Sequence, residues 1–159
     1  VQTIRLETRI AAPVERCFLL SLSIDLHVDS TRPTRERAIA GVTSGLIGAG
    51  ESVTWEGAHF GLRLRHTSRI VAYEPYRFFC DEMTAGAFKS FRHEHFFDED
   101  GDGTLMRDVL EFAAPLGLLG VIAERVVLHG YLRRFLAERN AVIQHAAVSD
   151  EWRRFLAGR

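Results

Sequence analysis

The chain is almost without lysine: Lys89 stands against nineteen arginines among its 20 basic residues. Arginine suits bidentate anion contacts, but those charges are matched by 21 Asp and Glu, leaving a formal charge of -1 and a pI near 6.7. The broad, uncompensated positive field that holds nucleic acid or an anionic membrane is therefore missing, and no nucleic-acid partner is expected. Cysteine is equally scarce. Cys17 and Cys80 are too few and too far apart for a disulfide framework or a thiolate zinc site, and both sit among apolar neighbours, which fits a reducing cytoplasm. No run approaches the roughly 20 apolar residues that cross a bilayer, and the first residues lack a basic stretch followed by an apolar one. A soluble protein without stable membrane insertion is expected. There is no G-x-S-x-G elbow and neither cysteine falls beside a histidine, so nucleophilic catalysis has no support.

What remains is an ordinary globular composition: 159 residues, 47% hydrophobic and 26% charged, read as one domain over 1–159. Thr3 to Ile10 alternates as a strand, with Ile4, Leu6, Thr8 and Ile10 on one face. Pro13 then starts a helix through Val14 to Ser21, and Asp25 to about Thr31 suits a second short helix. The glycine-rich segment Gly41 to Gly50 precedes a strand rather than following one, so it reads as a turn or strand-edge cluster and not as a nucleotide loop. Strand candidates follow one another from Glu51 to Phe112: Glu51–Trp55, a turn at Glu56-Gly57-Ala58, His59–Ala72, Tyr76 to about Met83, the run around Phe91–Phe97, and Thr104–Phe112. Their short connections require antiparallel neighbours. From about Leu118 to Ala147 apolar residues recur at helical spacing, long enough to cover a curved sheet, and Ser149 or Asp150 caps a last turn whose Trp152 and Phe155 pack back or meet a second subunit in a homodimer. The class implied is α+β, a curved antiparallel sheet of six or seven strands wrapped around a long C-terminal helix, with two short helices after the first strand.

The chemistry concentrates in Phe91-Arg92-His93-Glu94-His95-Phe96-Phe97. On a strand, side chains two apart share a face, which sets His93 and His95 between Phe91 and Phe97 with Arg92 and Glu94 opposite. If Phe79, Asp81 and Met83 face the same way on their strand, and Thr104, Met106, Asp108 and Leu110 on theirs, two carboxylates flank the imidazoles. The other phase turns Phe78, Cys80 and Glu82 inward. Trp55, His59, Phe60 and His66 border the same face, and His27 lies near its edge. The histidines and carboxylates satisfy each other as a buried polar network, orient a mainly apolar guest, or, with His at i,i+2, supply metal ligands. Strong zinc signatures are absent, so neither metal nor cofactor is expected.

The order of elements, together with Asp25-Leu26-His27, ERAIAGVTSGL from Glu36, ESVTWEGAHFG, PYRFFCDEM, FRHEHFF and GTLMRDVLEFAAPLGLLG, resembles the START-like helix-grip superfamily, also called SRPBCC. The local matches are to its bacterial ligand-binding branch, sometimes labelled "cell division inhibitor" and related to a domain appended to some sugar-nucleotide-type epimerases. The resemblance implies a cavity between sheet and C-terminal helix that takes a small hydrophobic or amphipathic molecule, such as a lipid or polyketide. It supplies no activity, since one fold serves many chemistries. The favoured function is a non-catalytic binding or carrier module whose ligand-binding residues are Trp55, Phe60, His66, Phe79, Asp81, Met83, Phe91, His93, His95, Met106 and Asp108. The alternative is a cyclase, dehydratase or isomerase using His93, His95, Asp108 or Asp81 as an acid–base pair. A third class is an interaction domain whose cavity is filled by its own side chains.

Overall fold

A computed structural model describes residues 1–115 and 124–157. Seven strands form one antiparallel sheet in the order β1-β7-β6-β5-β4-β3-β2, where β1 is Gln2–Ile10, β2 Arg37–Gly41, β3 Ser52–His59, β4 Leu62–Glu74, β5 Phe78–Ala85, β6 Ser90–Asp100 and β7 Gly103–Ala113. Each strand from β2 to β6 pairs with its successor, as short loops dictate. The first strand closes the order against the last, with Leu6 opposite Asp108 and Thr8 opposite Met106. Between β1 and β2 the chain makes α1 (Val14–Ser21) and α2 (Ile24–Ser30); Pro13 precedes α1, and Ser23 caps α2 by accepting from the Leu26 amide at 3.2 Å. A wide helical turn, Glu124–Leu128, leads into α3 (His129–Val148), and a single turn, α4 (Trp152–Leu156), follows.

The sheet must bury one face, and the helices cover it. On α3 the buried residues are Leu132, Leu136, Arg139, Asn140, Ile143, Ala146 and Ala147, one stripe at helical spacing. Its middle and end pack with α1 and the Phe79, Phe97 and Met106 side of the sheet; its start, through Leu132 and Leu136, packs with Ile4, Leu110 and Phe112. Trp152 and Phe155 pack back on the first of these clusters, with the Arg16 guanidinium 4.3 Å from the Trp152 ring centre. Among the described residues no helix is long and apolar enough to cross a membrane.

Three local expectations are corrected. A further strand, β2, was not evident because Arg37–Gly41 lies at the sheet's edge, with mostly exposed residues and no alternation to betray it. The strand expected to turn at Glu56-Gly57-Ala58 continues to His59, and the turn falls at Phe60–Gly61, both in left-handed conformation (φ 52° and 73°). Tyr76 also has positive φ (64°) and belongs to the turn before β5 rather than to the strand. The long helix expected from Leu118 is seen from Glu124 onward; positions 118–123 lie outside the described residues.

Candidate functional site

Between the sheet and α3 lies a cavity of about 300 Å³. Most of its wall is apolar: Ile47, Val53, Phe79, Phe91, Leu132 and Phe135 are representative, drawn from the sheet, the β2 to β3 connection and the C-terminal helix. Two polar clusters interrupt that wall.

The first is built on the register of β5, β6 and β7. Asp81 pairs across the ladder with His93, Phe79 with His95, and His95 with Asp108, so alternation brings all of them to one face. His93 Nε2 is 3.0 Å from Asp108 Oδ1, and His95 Nε2 is 3.1 Å from Asp81 Oδ2. His95 Nδ1 approaches Asp108 Oδ1 to 3.1 Å without the alignment of a hydrogen bond. Asp108 is 1% exposed, and behind it Asn140 Nδ2 donates to Asp108 Oδ2 at 2.7 Å, while Arg139 Nη1 donates to Asn140 Oδ1 at 3.2 Å. Burial alone would raise the Asp108 carboxyl, but the His93 hydrogen bond and the close approach of His95 hold it well below the usual carboxylate range. Asp81 is lowered in the same way, burial being outweighed mainly by the His95 hydrogen bond. Burial and the adjacent His95 push His93 down, which favours a neutral ring. The His95 ring stacks on Phe79 at 4.1 Å between centres.

The second cluster joins three elements beside the Phe60–Gly61 turn. Glu36, 9% exposed and just ahead of β2, lies 2.7 Å from His27 Nε2 of α2 and 3.0 Å from His59 Nε2 at the end of β3. His59 Nδ1 then meets the Tyr131 hydroxyl of α3 at 2.6 Å. Gly57 makes this possible, since a Cβ there would sit 2.6 Å from Glu36 Cγ. That close approach, not a turn, is why a glycine interrupts the strand. Burial would raise the Glu36 carboxyl, yet the hydrogen bonds from His27 and His59 bring it down to about 2. Tyr131 is raised by burial and by the Glu36 charge. His66, between the clusters and 4.9 Å from the Phe91 ring centre, is pushed down by burial against the opposing pull of Asp81 and Glu36.

No protein-family model matches the chain, and no curated protein matches it. Solved structures do. The Zhui aromatase/cyclase from Streptomyces sp. R1128 aligns with a TM-score of 0.74 at 17% identity, covering 99% of this chain and 98% of its own. A protein from Thermus thermophilus aligns at 0.72 and 17%, covering 93% and 100%. The ginseng major latex-like protein 151 from Panax ginseng aligns at 0.67 and 17%, covering 93% and 98%. The chain has the START-like helix-grip fold. At this identity the likeness is one of fold, so the helix-grip cavity of this chain has to be read from its own residues.

The structure selects the first of the two strand phases: Phe79 and Asp81 reach the cavity, whereas Glu82 joins Arg92 and Glu94 in ion pairs on the opposite face. Trp55, Phe60, His66, Phe91, His93 and His95 also line it. Met83, Met106 and Asp108 do not. Met83 packs against Gly86, where a Cβ would lie 2.6 Å from its sulfur; Met106 is fully buried under Ser21; Asp108 sits behind the two histidines, one layer deeper than the wall. Asp81, His93 and His95 each offer a donor atom within 4.8 Å of the others, the type of set that could hold a divalent metal. The His95–Asp81 and His93–Asp108 hydrogen bonds already engage those side chains. His59, expected to border the cavity, lines it; sequence reasoning missed Glu36, Tyr131, Arg139 and Asn140 as site residues, and the signals were Gly57 inside a strand and two polar residues on a helical stripe that is otherwise apolar.

Proposed function

We propose that the protein binds a small, mainly apolar molecule in the helix-grip cavity, with the polar clusters orienting it. The observation that carries this reading is the cavity of about 300 Å³ whose apolar wall is broken at two defined places by hydrogen-bonding side chains. That is the usual composition of a small-molecule site: apolar area for affinity, a few placed polar groups for orientation. An interior of this size also counts against an interaction domain filled by its own side chains. Carriage of a lipid or polyketide-like molecule is the form of binding the fold suggests, and the Zhui structure bears the name aromatase/cyclase. Mass spectrometry of small molecules extracted from the purified protein tests the reading: a recurrent apolar species near one per chain supports it, and a protein that yields none and binds no apolar probe saturably does not have this function.

A second reading, acid–base catalysis on the bound molecule, is favoured by one observation, the carboxylate behind each imidazole at the floor. A carboxylate that fixes one ring nitrogen as a donor leaves the other to take a proton, the arrangement a general base uses. Incubating the extracted molecule with the protein and following it by mass and NMR separates the two: unchanged ligand means carriage, and conversion that disappears in His93→Ala means catalysis.

A further inference from the structure

The hydrogen-bond polarity of the cavity limits what it can hold. Glu36 is ionised and can only accept, so His27 and His59 must both present Nε2–H to it. With that hydrogen on Nε2, a His59 ring carrying a single proton has a bare Nδ1, and the group 2.6 Å away that can donate to it is the Tyr131 hydroxyl. The Tyr131 proton is thereby committed, and the phenol oxygen of this wall residue is left to accept. The floor has the same polarity. Asp108 only accepts, so His93 donates through Nε2, and His93 Nδ1 is a bare acceptor with no partner among the described residues. Asp81, also a wall residue, uses Oδ2 toward His95 and, as a carboxylate, can only accept through its other oxygen.

Cations that could receive an anionic ligand are already engaged. Arg65 donates to Glu56 at 2.9 Å, and Arg139 donates to Asn140 and to the Ser21 carbonyl at 3.2 and 3.3 Å. A carboxylate guest would meet Glu36 and Asp81 with no free counter-charge among the described wall residues, while an ammonium would have to be desolvated against mainly apolar surface. Around Tyr131, Phe60 and Phe135 lie 4.6 and 6.3 Å away between ring centres, a setting suited to a flat apolar body.

Building on the binding reading above, we propose that the ligand is an uncharged apolar molecule bearing a hydroxyl group, and that this hydroxyl donates to the Tyr131 oxygen, which the His59–Glu36 chain keeps as an acceptor. Glu36 and His59 are positioning residues: they fix where the phenol proton points. An acid such as a fatty acid is excluded by the same arrangement.

The test is a set of titrations at neutral pH with naphthalene, 2-naphthol, 2-methoxynaphthalene, 2-naphthoate and 2-naphthylmethylammonium, which share a body and differ in their hydrogen-bonding group. 2-Naphthol should bind about tenfold more tightly than 2-methoxynaphthalene, the scale of one net hydrogen bond, with naphthoate weakest. Tyr131→Phe should remove most of the naphthol advantage while naphthalene affinity is retained. Glu36→Gln, whose amide can donate to His59 and turn its tautomer round, should do the same; a merely structural Glu36 would instead weaken all five probes alike. Naphthoate or the ammonium binding as tightly as naphthol overturns the proposal, as does a naphthol advantage that survives in both variants. Equal binding of naphthalene and naphthol overturns it while leaving the cavity reading standing, and no binding of any probe removes both.

Discussion

Replacing Asp108 by Asn tests the floor of the site most severely, because it removes one charge and changes almost no volume. In the native arrangement the carboxylate accepts from His93 Nε2 at 3.0 Å and from Asn140 Nδ2 at 2.7 Å. An asparagine has one acceptor oxygen and one donor NH2. If the oxygen serves His93, the new NH2 faces the NH2 of Asn140; reversing Asn140 would aim its NH2 at Arg139, which now donates to its oxygen at 3.2 Å. One donor–donor conflict is unavoidable while His93 keeps its hydrogen on Nε2. Losing a charge-assisted bond costs about 1.5–3 kcal/mol, and a buried donor left unsatisfied adds about 1–3, so the expected destabilisation is about 3–5 kcal/mol. For a chain of this size that is a fall in Tm of roughly 10 °C. Urea unfolding followed by tryptophan fluorescence measures it. Since Asp108 lies behind the wall, apolar-probe affinity per folded molecule should change far less than stability. A loss of stability below about 1 kcal/mol would refute the reasoning, since no native-state role would then match the hydrogen-bond network.

Further outcomes follow from the same geometry. Glu36 should contribute to acid stability: its folded pKa near 2 is below its ordinary 4.5, so its contribution is complete above about pH 4.5 and is lost as pH falls through about 2. That depression corresponds to roughly 3 kcal/mol, and Glu36→Gln should flatten the stability curve over this window; an unchanged slope between wild type and variant contradicts it. Phe91→Ala should weaken binding of an apolar probe with the fold retained by circular dichroism, because Phe91 is a wall residue only partly buried; undiminished affinity counts against this cavity as the binding site. Elemental analysis should find no stoichiometric zinc or iron, since a metal at Asp81, His93 and His95 would have to displace the His95–Asp81 hydrogen bond; about one metal per chain, lost in His93→Ala, would reverse that expectation.

The parts of this molecule that were legible from the sequence are those governed by short-range periodicity. Alternation in Phe91–Phe97 placed His93 and His95 on one face because a strand has no other way to point them, and the hairpin spacing left antiparallel order as the available pairing. Depth was not legible: Asp108 and Met106 share that face, yet a second layer of packing from α1 and α3 puts them behind the wall rather than on it. The Glu36 cluster was hidden for a different reason. Its four side chains come from α2, the approach to β2, the end of β3 and the start of α3, so nothing local relates them, and the glycine that admits Glu36 reads as a turn signal in isolation. The Phe60–Gly61 turn was missed because Phe60 adopts a positive φ that a bulky residue rarely takes.

The central claim is that the space between sheet and α3 is a binding site for a small apolar molecule, and an NMR titration of isotope-labelled protein with 2-naphthol tests it most directly. Saturable shifts at His66, Phe91, His93 and Tyr131, with Arg92 and Glu94 on the opposite face unmoved, are the predicted result. Saturable shifts confined to that outer face, or none at all up to the probe's solubility, would contradict it.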